Sequence, residues 1–181
     1  MSEEIVIKNC SPTLAGMKTA NLFTCPYENY SKLKKDILLL NQKLVDKGLR
    51  VIPLLIRKNN ALIYVYRPAF LTRDLLNSQA LDILLNYGYD CPNAEHCLIH
   101  LISRLKENDT FPHEIGLFLG YPPCDVKGFI NNDTEKFTGF WKVYDNEEEM
   151  KTLFTKFKKC TQSFIRQFSY GKTIERLVIQ T

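Results

Sequence analysis

No stretch of this 181-residue chain stays apolar for anything near the ~20 residues that cross a bilayer; the aliphatic run Ile37-Leu38-Leu39-Leu40 lies between lysines and polar residues. That shortfall argues against a membrane span. The opening Met1-Ser2-Glu3-Glu4 lacks the basic segment and apolar core of a secretory signal, so the expected compartment is the cytoplasm. Glycine and proline are few, eight each, and dispersed, which argues against low-complexity disorder and fibrous structure. Basic residues exceed acidic ones only by 24 to 20, too little to indicate nucleic acid as a partner. There is no GxxxxGK[ST] or GxGxxG phosphate cradle and no paired-cysteine zinc motif. The six cysteines are widely spaced in a chain long enough to fold without cross-links, so free thiols are expected.

What is present is a core-forming composition, 45% hydrophobic with 24% charged, and no polar linker or internal repeat. Residues 1–181 therefore read as a single layered α+β domain, a mostly antiparallel sheet of about five strands packed with helices. Glu3 to Lys8 fits a short helix or strand running into a turn or helix start at Cys10-Ser11-Pro12, and Thr19 to Cys25 a strand stopped by Pro26. Leu33, Ile37, Leu40 and Leu44 recur at helical spacing between a Ser31 cap and a Gly48 stop. Arg50–Arg57 and Ala61–Arg67 read as a hairpin turned at Lys58-Asn59-Asn60.

Helices are expected over 72–77, 78–87 and from an Asn93 cap to about Lys106. A buried strand follows over 115–120, a proline-started helix to Ile130, and a strand over 139–144. A last helix from about Asn146 has acids in its first turn and a core stripe of Met150, Leu153, Phe154, Phe157, Thr161, Phe164, Ile165 and Phe168, and 175–180 reads as a short edge strand.

Cys91, His96, Cys97 and His100 are metal-ligating types, but on a regular helix His96 and His100 face away from the apolar stripe and Cys97 lies at its margin. They are weak metal candidates, and no metal site is assigned. The stretch from Phe111 to Pro123 is the most unusual. Read as a strand, it sets Glu114, Gly116, Phe118 and Gly120 on one face, two gaps beside an acid and an aromatic, where a ligand or a tightly packed helix would approach. Cys10 or Cys124 with His113 supplies two members of a nucleophilic constellation, so the candidate catalytic residues are Cys10, Cys124, His113 and Glu114. Lys18 and Arg67 are basic residues that suit an anionic ligand.

Cys10 to Lys18, Asn21-Leu22-Phe23, Phe111 to Pro122, Asp125 to Ile130 and Gly139 to Tyr144 together resemble a bacterial family, the domain-of-unknown-function family thirty-seven ninety-three. The resemblance covers most of the chain. It implies one domain and a metal or redox context, and brings no activity, cofactor or catalytic residue with it. The expected function is a small ligand-binding or accessory protein, with a concave site of few polar groups built from Lys18, Arg67, Glu114, Gly116, Gly120 and Tyr121. A small molecule or another protein would be the partner. The alternative is a thiol-dependent enzyme, which requires a depressed thiol pKa beside His113.

Overall fold

Four buried side chains, Val6, Ile7, Cys10 and Leu14, lie on one face of α1 (Glu3–Leu14), and their burial keeps the helix running through Pro12 where the sequence suggested a turn. The carbonyl that Pro12 leaves without a donor is that of Lys8, an exposed residue open to water, so the proline costs less than it would inside a core. In this computed structural model, residues 1–90, 92–107 and 110–180 are described.

Chain contacts divide the protein into two compact units, Met1–Ala69 with Phe157–Thr181, and Phe70–Lys156. In the first, β1 (Ala20–Pro26), β2 (Arg50–Arg57) and β3 (Asn60–Tyr66) form an antiparallel sheet in the order β1-β3-β2. Register runs from Ala20 opposite Tyr66 to Pro26 opposite Asn60, and from Arg50 opposite Tyr66 to Arg57 opposite Asn60, with a bulge between Pro53 and Leu55. Both strand prolines thus fall on edge strands, where a missing N–H breaks no central ladder. The hairpin turn is as expected, with Asn59 in the left-handed region (φ 65).

Helix α2 (Tyr30–Leu44) is capped by Asn29, whose Oδ1 accepts from Lys32 N at 3.0 Å, rather than by Ser31. A 3-10 turn (Val45–Lys47) and Gly48 (φ 76) end it. On its sheet-facing side, Asn41 donates to Val51 O at 2.7 Å and accepts from Val51 N at 2.9 Å, so one amide occupies the outward backbone groups of edge strand β2. The core of this unit joins Ile7 and Leu14, Leu33 and Leu44, Ile63 and Val65 to Phe164 and Ile174.

The second unit is mainly helical: α3 (Pro68–Leu75) leads into it, followed by α4 (Ser78–Asn86), α5 (Ala94–Glu107), α6 (Ile115–Phe118) and α7 (Pro123–Asn131). A two-stranded hairpin, β4 (Phe137–Thr138) with β5 (Lys142–Val143), precedes α8 (Glu147–Ser169), which ends in the first unit and is followed by α9 (Ile174–Leu177). Of the expected stripe of α8, Met150, Phe154, Phe157 and Phe164 are buried, Leu153, Thr161 and Phe168 are half-buried at its margins, and Ile165 is exposed because it lies one position round the helix from Phe164.

The α+β class holds, but the strands are arranged as a sheet of three and a hairpin of two, not one sheet of five. Three segments differ in type. The run 115–120 is the helical turn α6, with Leu117 N bonded to Glu114 O at 3.0 Å and Leu119 N to Ile115 O at 3.1 Å; a short buried apolar run has no period to separate strand from helix. Residues 139–144 form the bend and return strand of a hairpin. The expected edge strand at 175–180 is α9 with a tail whose Ile179 N donates to Leu14 O at 3.1 Å, so the tail closes α1 rather than extending a sheet. Among the described residues no helix is long and apolar enough to cross a membrane.

Candidate functional site

Two glycines shape the segment that the sequence singled out. At Gly116 a Cβ would lie 2.8 Å from Val126 Cγ2, so its missing side chain lets α6 lie directly against α7. Gly120 takes a left-handed φ of 73 and turns the chain toward Tyr121-Pro122 and α7. Both therefore serve packing and turning, and a cavity lies beside this segment. A cavity of about 480 Å³ is lined by α6, α7, the 111–113 segment and the β4–β5 bend. Its size falls within the ~300–1,000 Å³ typical of small-molecule pockets.

The lining is aromatic. Trp141 stacks on Tyr121 with ring centroids 4.4 Å apart and meets Phe154 edge-on at 4.5 Å. Phe111, Phe129 and Phe140 are 51%, 39% and 42% exposed, an unusual density of open rings at one cavity. Asp125 anchors the bend. Its Oδ2 accepts from Trp141 Nε1 at 2.8 Å, and its Oδ1 accepts from the Tyr144 backbone N–H at 2.8 Å, so this buried carboxylate fastens the β4–β5 loop to the first turn of α7. The other polar side chains of the lining are His113, Lys142 and the phenol of Tyr121. His113 is exposed with its ring edge-on to Phe129 at 5.0 Å, and Lys142 is half-exposed and 3.1 Å from Glu135.

Glu114, expected beside the glycines, is turned elsewhere. It is fully buried, its Oε1 accepting from Arg104 Nε at 2.6 Å and from Tyr89 OH at 2.9 Å, and the α6 turn rather than a strand sets that direction. Its Oε2 has no partner among the described residues. Arg104 also lies over the Tyr87 ring, so Glu114 acts as the acceptor at the centre of a cluster joining α5 to the loop before α6.

Lys18, Arg67 and Cys10 belong to the first unit, around the end of α1. Arg67, 1% exposed, donates from Nε to Thr13 O at 2.7 Å and from Nη2 to Leu14 O at 2.8 Å and Ile179 O at 2.7 Å. Its guanidinium satisfies carbonyls at a helix C-terminus, where positive charge is favoured. Lys18 Nζ donates to Ala20 O at 2.7 Å, and burial pushes its amine down to about 7. The adjacent Cys10 thiol is pushed strongly up by burial.

These shifts have a measurable consequence. Between pH 7 and 9 the unfolded chain keeps the Lys18 proton while the folded chain loses it, so stability should rise by about 2 kcal/mol across that window and be flat, for this group, below it. Above pH 9 the gain is opposed, because an unfolded Cys10 thiol ionises and the folded one does not. Urea titrations at fixed ionic strength should show the rise, and Lys18→Met should remove it.

Cys124 is exposed and lines a different cleft, of about 580 Å³, between α4 and α7; partial burial and the nearby Asp125 charge push its thiol up. Among the described residues neither Cys10 nor Cys124 is hydrogen-bonded to His113. His96 Nδ1 lies 3.0 Å from Asn93 Oδ1 and His100 stacks on Tyr89 at 4.2 Å. Cys91 lies outside the described residues, and among these no group of three His, Cys, Asp or Glu side chains is placed to hold a metal ion. Cys97 is buried and disulfide-bonded, which corrects the expectation of free thiols throughout; Cys10, Cys25, Cys124 and Cys160 are free.

Phe129, Phe140, Trp141 and Lys142 were not singled out by the sequence as site residues, although their segments were noticed. The available signal was the apolar pair Phe140-Trp141 directly after a glycine, in a segment too short to be a core strand. The chain belongs to the family described as Protein of unknown function (DUF3793), whose model matches residues 6–178. No curated protein and no solved structure matches it.

Proposed function

We propose that this member of the family is a small ligand-binding or accessory protein, whose ligand places an apolar, ring-shaped group in the cavity beside α6 and α7. The observation that carries this reading is the cavity itself: about 480 Å³, with Phe111, Phe129 and Phe140 exposed at it and the Trp141–Tyr121 stack within it. Exposed rings cost solvation unless something covers them, and offset or edge-on stacking is what a planar ligand would gain there. The competing thiol-enzyme reading needs a thiolate near neutral pH, whereas the Cys10 and Cys124 thiols are both pushed up.

Trp141 is the chain's sole tryptophan and a cavity residue, so it reports occupancy directly. Titration with uncharged N-phenyl-1-naphthylamine should give saturable energy transfer from Trp141 with one probe per chain. Phe129→Ala should weaken it about tenfold by removing one stacking ring. Absence of saturable transfer, or binding that ignores Phe129, would overturn the reading.

A further inference from the structure

The charges around the cavity are unequal in their availability. Asp125 is its acid, but Trp141 Nε1 occupies one of its oxygens at 2.8 Å, the Tyr144 N–H occupies the other at 2.8 Å, and the residue is 3% exposed. It has little left to offer a ligand cation, and a cation would find no other carboxylate among the lining residues.

The donors are open. His113 is exposed, its imidazole has no hydrogen-bond partner among the described residues, and its ring already leans on Phe129. Lys142 reaches the same lining with its side chain 44% exposed. Its partner Glu135, 3.1 Å away, is itself 36% exposed. Such a solvent-exposed pair is weak, so a ligand anion can share or replace Glu135 at small cost. An imidazole N–H donates in either protonation state, and an ammonium donates three ways.

Resting on the binding reading above, we infer that the cavity selects a planar aromatic ligand bearing an anionic group, a carboxylate, sulfonate or phosphate. The ring lies among Phe129, Phe140 and Trp141, and the anion is held by His113 and Lys142. The aromatic lining supplies area and the two donors supply orientation, the division of labour usual in small-molecule sites. A cationic or uncharged aromatic molecule would engage neither donor, leaving Lys142 on Glu135, and lose that orientation.

The test compares two probes of nearly one shape, 1-anilinonaphthalene-8-sulfonate and uncharged N-phenyl-1-naphthylamine, on the full chain and on the double variant His113→Gln, Lys142→Gln, with circular dichroism checking that the variant folds. The sulfonate should bind about tenfold tighter than the uncharged probe, a difference of ~1.4 kcal/mol, and in the double variant the ratio of the two affinities should fall to about one. If both probes bind equally to the unaltered chain, or the preference survives in the variant, the anion inference is overturned and the cavity reading stands. If neither probe binds, both fall together. Should the double variant not fold, Glu135→Gln gives an independent check: freeing Lys142 should tighten the sulfonate alone, and no change there counts against the inference.

Discussion

Arg67→Ala should destabilise the fold by about 3 kcal/mol or more, the largest loss expected from any single truncation of a polar side chain in this chain. Among the described residues the guanidinium donates to Thr13 O at 2.7 Å and Leu14 O at 2.8 Å in buried bonds and to Ile179 O at 2.7 Å in a part-buried one, carbonyls that span the end of α1 and the C-terminal tail. Alanine leaves those oxygens short of a donor and opens a void the size of a long side chain; the void and the Thr13 and Leu14 carbonyls are buried, while Ile179 O can turn to water. Arg67→Met fills most of the void without the donors, so it separates the two: a cost close to that of alanine would show that the bonds dominate. Arg67→Lys should recover little, since one ammonium cannot reproduce a planar fork aimed at carbonyls on two segments. Urea denaturation of the three variants at pH 7 measures this. A loss below ~1 kcal/mol for alanine would mean that water replaces the guanidinium and that the tail is not fastened there.

How far the sequence revealed this fold depended on whether each segment had a period. Helix α2 and helix α8 were legible because their apolar residues repeat at helical spacing over many turns, and the β2–β3 hairpin because Asn-rich turn residues separate two β-branched runs. Helix α1 was read short because Ser11-Pro12 is a common break, and only the buried face that continues to Leu14 explains why it does not break there. Segment 115–120 has six residues, five of them buried and one intermediate, so it offered no polar face from which to infer direction. Once it is a helical turn, the alternation argument that paired Glu114 with Gly116 and Gly120 no longer applies.

The site was legible as a place rather than as a set of side chains. Glycine, proline and aromatic residues crowded between Phe111 and Pro123 marked a segment under unusual constraint, and the cavity does lie beside it. Which residues line it depends on contacts across 30 positions of sequence, from Phe111 to Phe140 and Trp141, and spacing along the chain does not show these. Lys18 and Arg67, chosen as free positive charges, are instead buried donors to carbonyls; a basic residue reads the same in sequence whether it waits for a ligand or closes a helix.

Asp125 is the residue on which the cavity's aromatic wall depends, and Asp125→Ala should cost about 3 kcal/mol of stability while disordering the bend that presents Phe140 and Trp141. Its carboxylate accepts from Trp141 Nε1 and Tyr144 N–H and, at 3.4 Å, from Asp145 N–H. Trp141 Nε1 is a buried indole N–H bonded at 2.8 Å, and the Tyr144 N–H, also at 2.8 Å, directly follows the strand that returns from the bend. Removing the carboxylate strands both at once. Asp125→Asn should fall between: its amide oxygen can still accept from one donor, but its NH₂ then faces the other N–H, two donors opposed. Since Trp141 is 8% exposed and the sole tryptophan, its emission should shift to the red in both variants, further for alanine. Binding separates this anchor from a ligand contact. If Asp125 acts only by holding the wall, Asp125→Asn should weaken charged and uncharged naphthylamine probes by the same factor. If its carboxylate instead repels the bound anion, Asp125→Asn should tighten the sulfonate probe relative to the uncharged one. That outcome would move Asp125 from the frame of the site into the contact surface itself.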